Sequence, residues 1–379
     1  QEIAGMKHIV RLSAVSLSIL FGSCAAAPSM PLDPVRAVAT TRFDVTVDRT
    51  TLKLPYYANT ALDETNPAII RAVIAVHGAD RNADRFFEGV RAAARRATAE
   101  NSTLIIAPQF LELPDIEQHK PGSDVLFWSG GWRQGDPSRS TRVHRRRARV
   151  SSFEAIDQMV LRLADGTRFP NLKHIVIAGH SAGGQFVNRY AAGNRVEDLI
   201  APSRGIDFRY VVANPSSYLY FDGERRIGGE GDRFATPSTS ECLTCPTYNQ
   251  YRYGLDHLNS YMATVGTDTI AEQYGRRHVV YLVGELDNRD ELFLDRTCRA
   301  NLQGAHRLER AIIYYSYLQH HFGPEIAANH HLAIVPETGH NSYRMFGSEP
   351  GLRYLFDHEP ADRAASPAAT SRPAEALAS

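Results

Sequence analysis

The stretch His174-Ile175-Val176-Ile177-Ala178-Gly179-His180-Ser181-Ala182-Gly183-Gly184-Gln185-Phe186-Val187-Asn188-Arg189-Tyr190 decides how this chain is read. Its first part is short, apolar and β-branched, the pattern of a parallel strand buried on both faces. Gly184 to Tyr190 can start a helix, which we expect to run over Gln185 to Ala192. Between strand and helix lies Gly179-x-Ser181-x-Gly183. A turn from strand to helix at that point is too sharp to admit side chains, so small residues flank the serine and its hydroxyl is lifted above the sheet edge. The N-terminus of the following helix favours negative charge developing nearby. Ser181 is therefore the candidate nucleophile.

Five further segments share the character of the strand: Ala72 to Val76, Thr103 to Ala107, Arg209 to Ala213, His278 to Val283 and Leu332 to Val335. Helical patterns fall between them at Ala83 to Glu100, Ser152 to Ala164 and His306 to Phe322. Ser151-Ser152-Phe153-Glu154 has a capping-box pattern and Asp165-Gly166 closes that helix. The alternation implies an α/β fold, a mostly parallel doubly wound sheet with helices on both faces. Antiparallel edge strands are expected within Asp33 to Tyr57, where Phe43, Val45 and Val47 alternate with polar residues. Many doubly wound folds bind nucleotides, but no Gly-x-Gly-x-x-Gly or Walker pattern follows any of these strands.

The elbow, His77-Gly78 after an apolar strand, and a late Asp and His together resemble the α/β-hydrolase superfamily. More narrowly, Ile177 to Ser181, Val212-Ala213-Asn214-Pro215-Ser216-Ser217-Tyr218 and Cys245-Pro246-Thr247-Tyr248 are similar to a poorly characterised group of secreted fungal and bacterial hydrolases. The resemblance implies a fold and a chain order of nucleophile, acid and base. Asp287 in Gly284-Glu285-Leu286-Asp287 stands just past one strand end, with Glu285 and Asp290 as rivals. His340 in Glu337-Thr338-Gly339-His340-Asn341 stands just past the last strand and, among 15 histidines, has the order and position of the base. The pairs His320-His321 and His330-His331 read as a helix terminus and a loop at least as well as metal ligands. Backbone N–H groups of Ala79 and Ala182 are the candidate oxyanion donors, with His77 a packed strand-end residue.

Two long connections are expected to set specificity. Gln109 to Arg149 holds both tryptophans, Trp128 and Trp132, read either as pocket lining or as packing. Residues 218 to 275 form a cap-like insertion, and the resemblance implies a disulfide from Cys245 in it to Cys298. Cys242-x-x-Cys245 has no second matching pair, which argues against zinc. The five arginines within Arg142 to Arg149 read as a solvated approach to the next helix.

With 379 residues, 43% of them apolar, and 42 basic against 42 acidic side chains, the chain suits a soluble enzyme and has no field for nucleic acid. Residues 1 to 39 read as a leader and linker: a basic start, an apolar run from Leu12 to Phe21 too short to span a bilayer, then Phe21-Gly22-Ser23-Cys24. Either Cys24 is lipidated, the only membrane attachment expected, or cleavage falls among Ala25 to Ala27. The hydrolase domain covers 40 to 358, and 359 to 379 is an Ala/Pro/Ser-rich tail expected to be disordered. The expectation is an exported serine hydrolase, secreted, periplasmic or lipid-anchored, that cleaves a small-molecule or polymeric ester without a cofactor. An amidase using the same residues and a non-catalytic binding protein are the alternatives.

Overall fold

A computed structural model describes residues 33–228, 233–291 and 293–358. The leader with Cys24 and the tail at 359–379 lie outside them. Among the described residues ten strands form: β1 Arg42–Val47, β2 Thr50–Ala58, β3 Arg71–Val76, β4 Thr103–Pro108, β5 His174–His180, β6 Asp207–Ala213, β7 Arg225–Arg226, β8 Phe234–Ala235, β9 Val279–Gly284 and β10 His330–Val335. Eight build one sheet in the order β1-β2-β4-β3-β5-β6-β9-β10, while β7 and β8 make a separate ribbon in the inserted region. The β1–β2 and β2–β4 pairs are antiparallel, and every pair from β4 to β10 is parallel.

Strand alternation sends side chains to two apolar layers. Ile74, Val76, Ile175, Ile177, Tyr210 and Val212 pack with the helices Ser152–Leu163, Ala182–Gly193 and Arg307–Phe322. Val73, Ala75, Val176, Ala178, Val211 and Ala213 face the helices Ala83–Arg96, Ser342–Gly347 and Glu349–Phe356. Both faces are therefore covered, and the site-bearing loops leave from the C-terminal ends of the central strands.

Several local expectations change. The helix after Ser181 begins at Ala182, not Gln185. Gly183 and Gly184 look like helix breakers, but a Cβ on Gly183 would stand 2.1 Å from the Val76 carbonyl oxygen, and one on Gly184 2.5 Å from that of Ala213. Close helix-to-sheet approach requires glycine there. The helix from Ala83 stops at Arg96, with a 3-10 turn at Glu100–Ser102. His330 and His331 open β10 rather than a loop, His330 bonding through Nε2 to the Tyr274 carbonyl and through Nδ1 to the Tyr281 hydroxyl. In the arginine run, Arg146 is buried and donates from Nε to the Val125 carbonyl at 2.5 Å.

Candidate active site

Ser181 is the N-cap of the helix Ala182–Gly193, at φ 60° and ψ −119°. A non-glycine residue rarely adopts this conformation, and it is sustained here by a fully packed surrounding. The Ser181 N–H bonds the Ala213 carbonyl at 2.9 Å, locking the turn to the end of β6. Gly78 lies against it: a Cβ there would be 3.7 Å from Ser181 Cβ.

Asp287 and His340 are joined by the loops after β9 and β10. Glu285 N–H donates to the Val335 carbonyl, and Leu286 N–H to the Thr338 carbonyl, both at 3.0 Å. This ladder brings His340 Nδ1 to 2.7 Å from Asp287 Oδ2. A carboxylate only accepts, so Nδ1 carries the proton and Nε2 is left with a lone pair. The rival carboxylates are engaged elsewhere: Glu285 accepts from Glu337 N–H at 2.9 Å, and Asp290 pairs with Arg296 on the surface. Asp287 is wholly buried, and its other oxygen accepts from Arg307 Nη1 at 3.3 Å.

His180 and Asn214 complete this wall. The His180 ring lies 4.5 Å, centroid to centroid, from that of His340. Asn214 Oδ1 accepts from Gly284 N–H at 2.9 Å, so its amide nitrogen is the group 3.1 Å from His180 Nε2. That nitrogen donates, which requires an unprotonated Nε2. Burial, reinforced by His340 and Arg307, lowers the His180 pKa well below its ordinary value. A neutral imidazole thus backs His340.

The expected oxyanion segment is held from behind. Phe110 N–H donates to His77 Nε2 at 3.0 Å, leaving Nδ1 to donate to the Gly78 carbonyl at 2.8 Å. Arg81 N–H reaches the same carbonyl at 3.2 Å. In a trans peptide the following N–H points the opposite way, so these bonds aim the N–H of Ala79 away from His77. Arg81 also bonds the Ala79 carbonyl at 3.1 Å and forms a buried bidentate pair with Asp115 at 2.7 and 3.1 Å. Burial lowers the His77 pKa to about 4. Ala182 N–H belongs to the first turn of the helix Ala182–Gly193, among donors with no partner inside the helix.

Trp128 and Trp132 are fully buried. Trp132 packs 4.8 Å from the His77 ring and stacks on Phe110 at 5.3 Å, so both tryptophans are packing residues of the long loop. Cys245 and Cys298 are joined by a disulfide, and Cys242 is a free thiol. Among the described residues no group of three or more His, Cys, Asp and Glu side chains converges as a metal site. A cleft of about 320 Å³ lies at the opposite, N-terminal edge of the strands, lined by His174, Asp207, Arg209 and His278.

Solved structures of similar fold include hydrolases. Poly(aspartic acid) hydrolase-1 from Sphingomonas sp. KT-1 superposes at a TM-score of 0.53 with 22% identity, over 86% of this chain and 99% of that one. The poly(3-hydroxybutyrate) depolymerase from Bordetella parapertussis gives 0.53 and 20%, over 85% and 92%. The fold is that of the α/β-hydrolases. No protein-family model and no curated protein matches the sequence. Within an α/β-hydrolase sheet, Ser181 occupies the strand-to-helix elbow and Asp287 and His340 the loops after the last two strands. Arg307, Asn214 and the Arg81–Asp115 pair are parts of the site that sequence reasoning missed. Their partners are 20 to 34 residues away in the chain; Asn214 falls in the quoted stretch Val212 to Tyr218, but nothing local marks its contact with His180.

Proposed function

We propose that the protein is an exported serine hydrolase cleaving carboxylic esters through an acyl-enzyme. The observation that carries this reading is the His340–Asp287 pair at 2.7 Å, on the same sheet edge as a strained, helix-capping Ser181. In the reaction, His340 Nε2 removes the Ser181 proton as Oγ attacks the ester carbonyl. The resulting imidazolium is stabilised by Asp287, and the tetrahedral oxygen by the N–H groups of Ala79 and Ala182. Collapse expels the alcohol with the proton returned from His340. Water, activated by the same imidazole, then attacks the acyl-enzyme and releases the acid. No step draws on a cofactor. The Cys245–Cys298 disulfide supports export, since such bonds persist in oxidising compartments. Depolymerisation of a polyester by a protein of this fold makes a polymeric ester as reasonable a substrate as a small one.

The test is labelling with a fluorophosphonate probe. Wild-type protein is expected to label, and Ser181→Ala and His340→Ala are not, with both variants retaining a cooperative melting transition. A folded wild-type protein that resists the probe overturns the reading.

A further inference from the structure

Gln185 and Arg189, four and eight residues after Ser181, lie on one face of the nucleophile helix. Both reach the hydroxyl of Ser217, at 2.7 and 3.1 Å. Ser217 is four residues beyond Ala213, whose carbonyl holds the Ser181 N–H. Arg189 spends its remaining donors on two backbone carbonyls, that of Arg252 from Nε and that of Arg133 from Nη1, each at 3.2 Å. One buried guanidinium thereby anchors the backbone at two other arginines, Arg133 from the long loop and Arg252 from the insertion.

These two arginines are unequally satisfied. Arg252 donates to Gln134 Oε1 at 3.1 Å and to the Tyr253 hydroxyl at 3.2 Å, and it faces Asp295 at 3.8 Å. Asp295 in turn accepts a 2.6 Å bond from Tyr253. Arg133 has one bond, from Nε to the Gly130 carbonyl at 3.0 Å. Among the described residues, no hydrogen bond is made from its Nη1 or Nη2, and its Cζ lies 6.0 Å from the Trp132 ring centroid. The nearby carboxylates have other donors: Glu112 holds Trp132 Nε1 at 3.2 Å, and Asp136 holds Asn259 and Gln134. Arg133 is only partly exposed. Burial first, then the charge of Arg252, lowers its pKa, and burial and Arg252 also bring that of Arg189 down to about 9. Desolvating a cation beside other cations is costly unless an anion arrives to pair with it.

A chain of packed side chains links Arg133 to the candidate centre. Trp132, adjacent to Arg133, touches the His77 ring, and His77-Gly78 faces Ser181. An open guanidinium fork matches a carboxylate with two parallel hydrogen bonds. We propose that Arg133, supported by Arg252, is a specificity site for a carboxylate group on the substrate, so that the preferred substrates are esters bearing a negative charge remote from the scissile bond. The proposal rests on the ester-hydrolase reading above.

Two pairs of matched esters test it, one for each side of the scissile bond. The first compares mono-4-nitrophenyl adipate with 4-nitrophenyl hexanoate. The second compares 4-(carboxymethyl)phenyl butyrate with 4-ethylphenyl butyrate. The charged ester of at least one pair is expected to have the larger kcat/KM by about tenfold or more, the scale of one charge-assisted hydrogen bond. That ratio should fall toward one in Arg133→Gln, be largely kept in Arg133→Lys, and shrink with added salt in the wild-type protein. Free adipate should also inhibit neutral-ester hydrolysis by the wild-type enzyme where 1,6-hexanediol does not, a readout that needs no variant. Hydrolysis of the neutral esters with no charged preference in either pair overturns the carboxylate site alone. Failure to hydrolyse any of the four overturns the hydrolase reading with it.

Discussion

Arg307 stands directly behind Asp287, its Nη1 3.3 Å from Oδ1 while Oδ2 faces His340, and both side chains of the ion pair are wholly buried. Arg307 Nε and Nη2 are buried with no hydrogen-bond partner among the described residues, so the guanidinium is held chiefly for its charge on Asp287. Removing one member of such a pair leaves the other buried and uncompensated, at about 3 to 5 kcal/mol. Arg307→Met is expected to lower the urea midpoint accordingly. It should also move the acid limb of the kcat/KM profile to higher pH, because an unopposed Asp287 carboxylate favours imidazolium at His340. Arg307→Lys, which returns a charge, should recover part of both. An Arg307→Met enzyme with wild-type stability and an unmoved profile would refute this role.

Asn214 links the end of β5 to the end of β9, and the neutrality of His180 depends on it. In Asn214→Asp one oxygen can still accept from Gly284 N–H, but the other then faces His180 Nε2 and demands a proton there. The backbone at φ 44° is tolerated by Asp as by Asn. A charged His180 beside His340 would oppose the imidazolium formed as Ser181 attacks. We expect kcat/KM to fall by about tenfold or more with a melting temperature close to wild type. Undiminished turnover in this variant would remove His180 and Asn214 from the mechanism.

Much of this was legible in the chain because parallel strands covered on both faces must be continuously apolar. Val73 to Val76 and Ile175 to Ala178 have no polar side to confuse the reading. β10 is an edge strand, only partly buried along Leu332 to Ile334, and its opening histidines gave no strand signal. Chain order and strand ends singled out Asp287 and His340, which the structure brings to 2.7 Å of each other. The contacts of Arg307 and Asn214 were not legible, since Asp287 and His180 are brought to them only by the fold. The start of the nucleophile helix was hidden for a different reason: Gly183 and Gly184 carry a helix-breaking propensity that close packing on Val76 and Ala213 overrides.

The buried histidines make folding sensitive to acid. His77 has its pKa lowered to about 4 by burial, as does His330. An unfolded chain binds these protons near pH 6.5, so each group contributes stability that is present above that pH and is lost as pH falls toward 4. Asp157 acts in the opposite sense: burial raises its pKa to about 6, against hydrogen bonds from Tyr261 and Tyr190, so its contribution is lost as pH rises from 3.8 to 6. His180 and His278, both lowered by burial, act in the same sense as His77 and His330, while burial raises Glu154 and Glu197 along with Asp157. The histidines titrate across the whole interval, so net stability should decline from pH 7.5 to 5.0, with His77 responsible for about 2 kcal/mol of the loss. His77→Gln keeps an acceptor for Phe110 N–H and removes the titration. Urea unfolding at the two pH values should show a correspondingly smaller decline in this variant, and an identical decline would show that His77 does not set it.

The disulfide contributes on a different axis. It joins Cys245, buried in the insertion, to Cys298, 53 positions further along the chain. Closing a loop of that length restricts the unfolded chain by about 4 kcal/mol on the chain-entropy estimate. Asp287 lies inside the loop, but its position is set independently by β9, by the Glu285–Val335 bond and by Arg307. Cys245→Ser/Cys298→Ser should therefore lower the denaturant midpoint substantially while keeping kcat on a neutral ester within a few-fold. Reductant should reproduce the shift in the wild-type protein and leave the double variant unmoved. A variant that keeps its midpoint but loses kcat would mean the bond acts instead by holding the loop that carries Asp287.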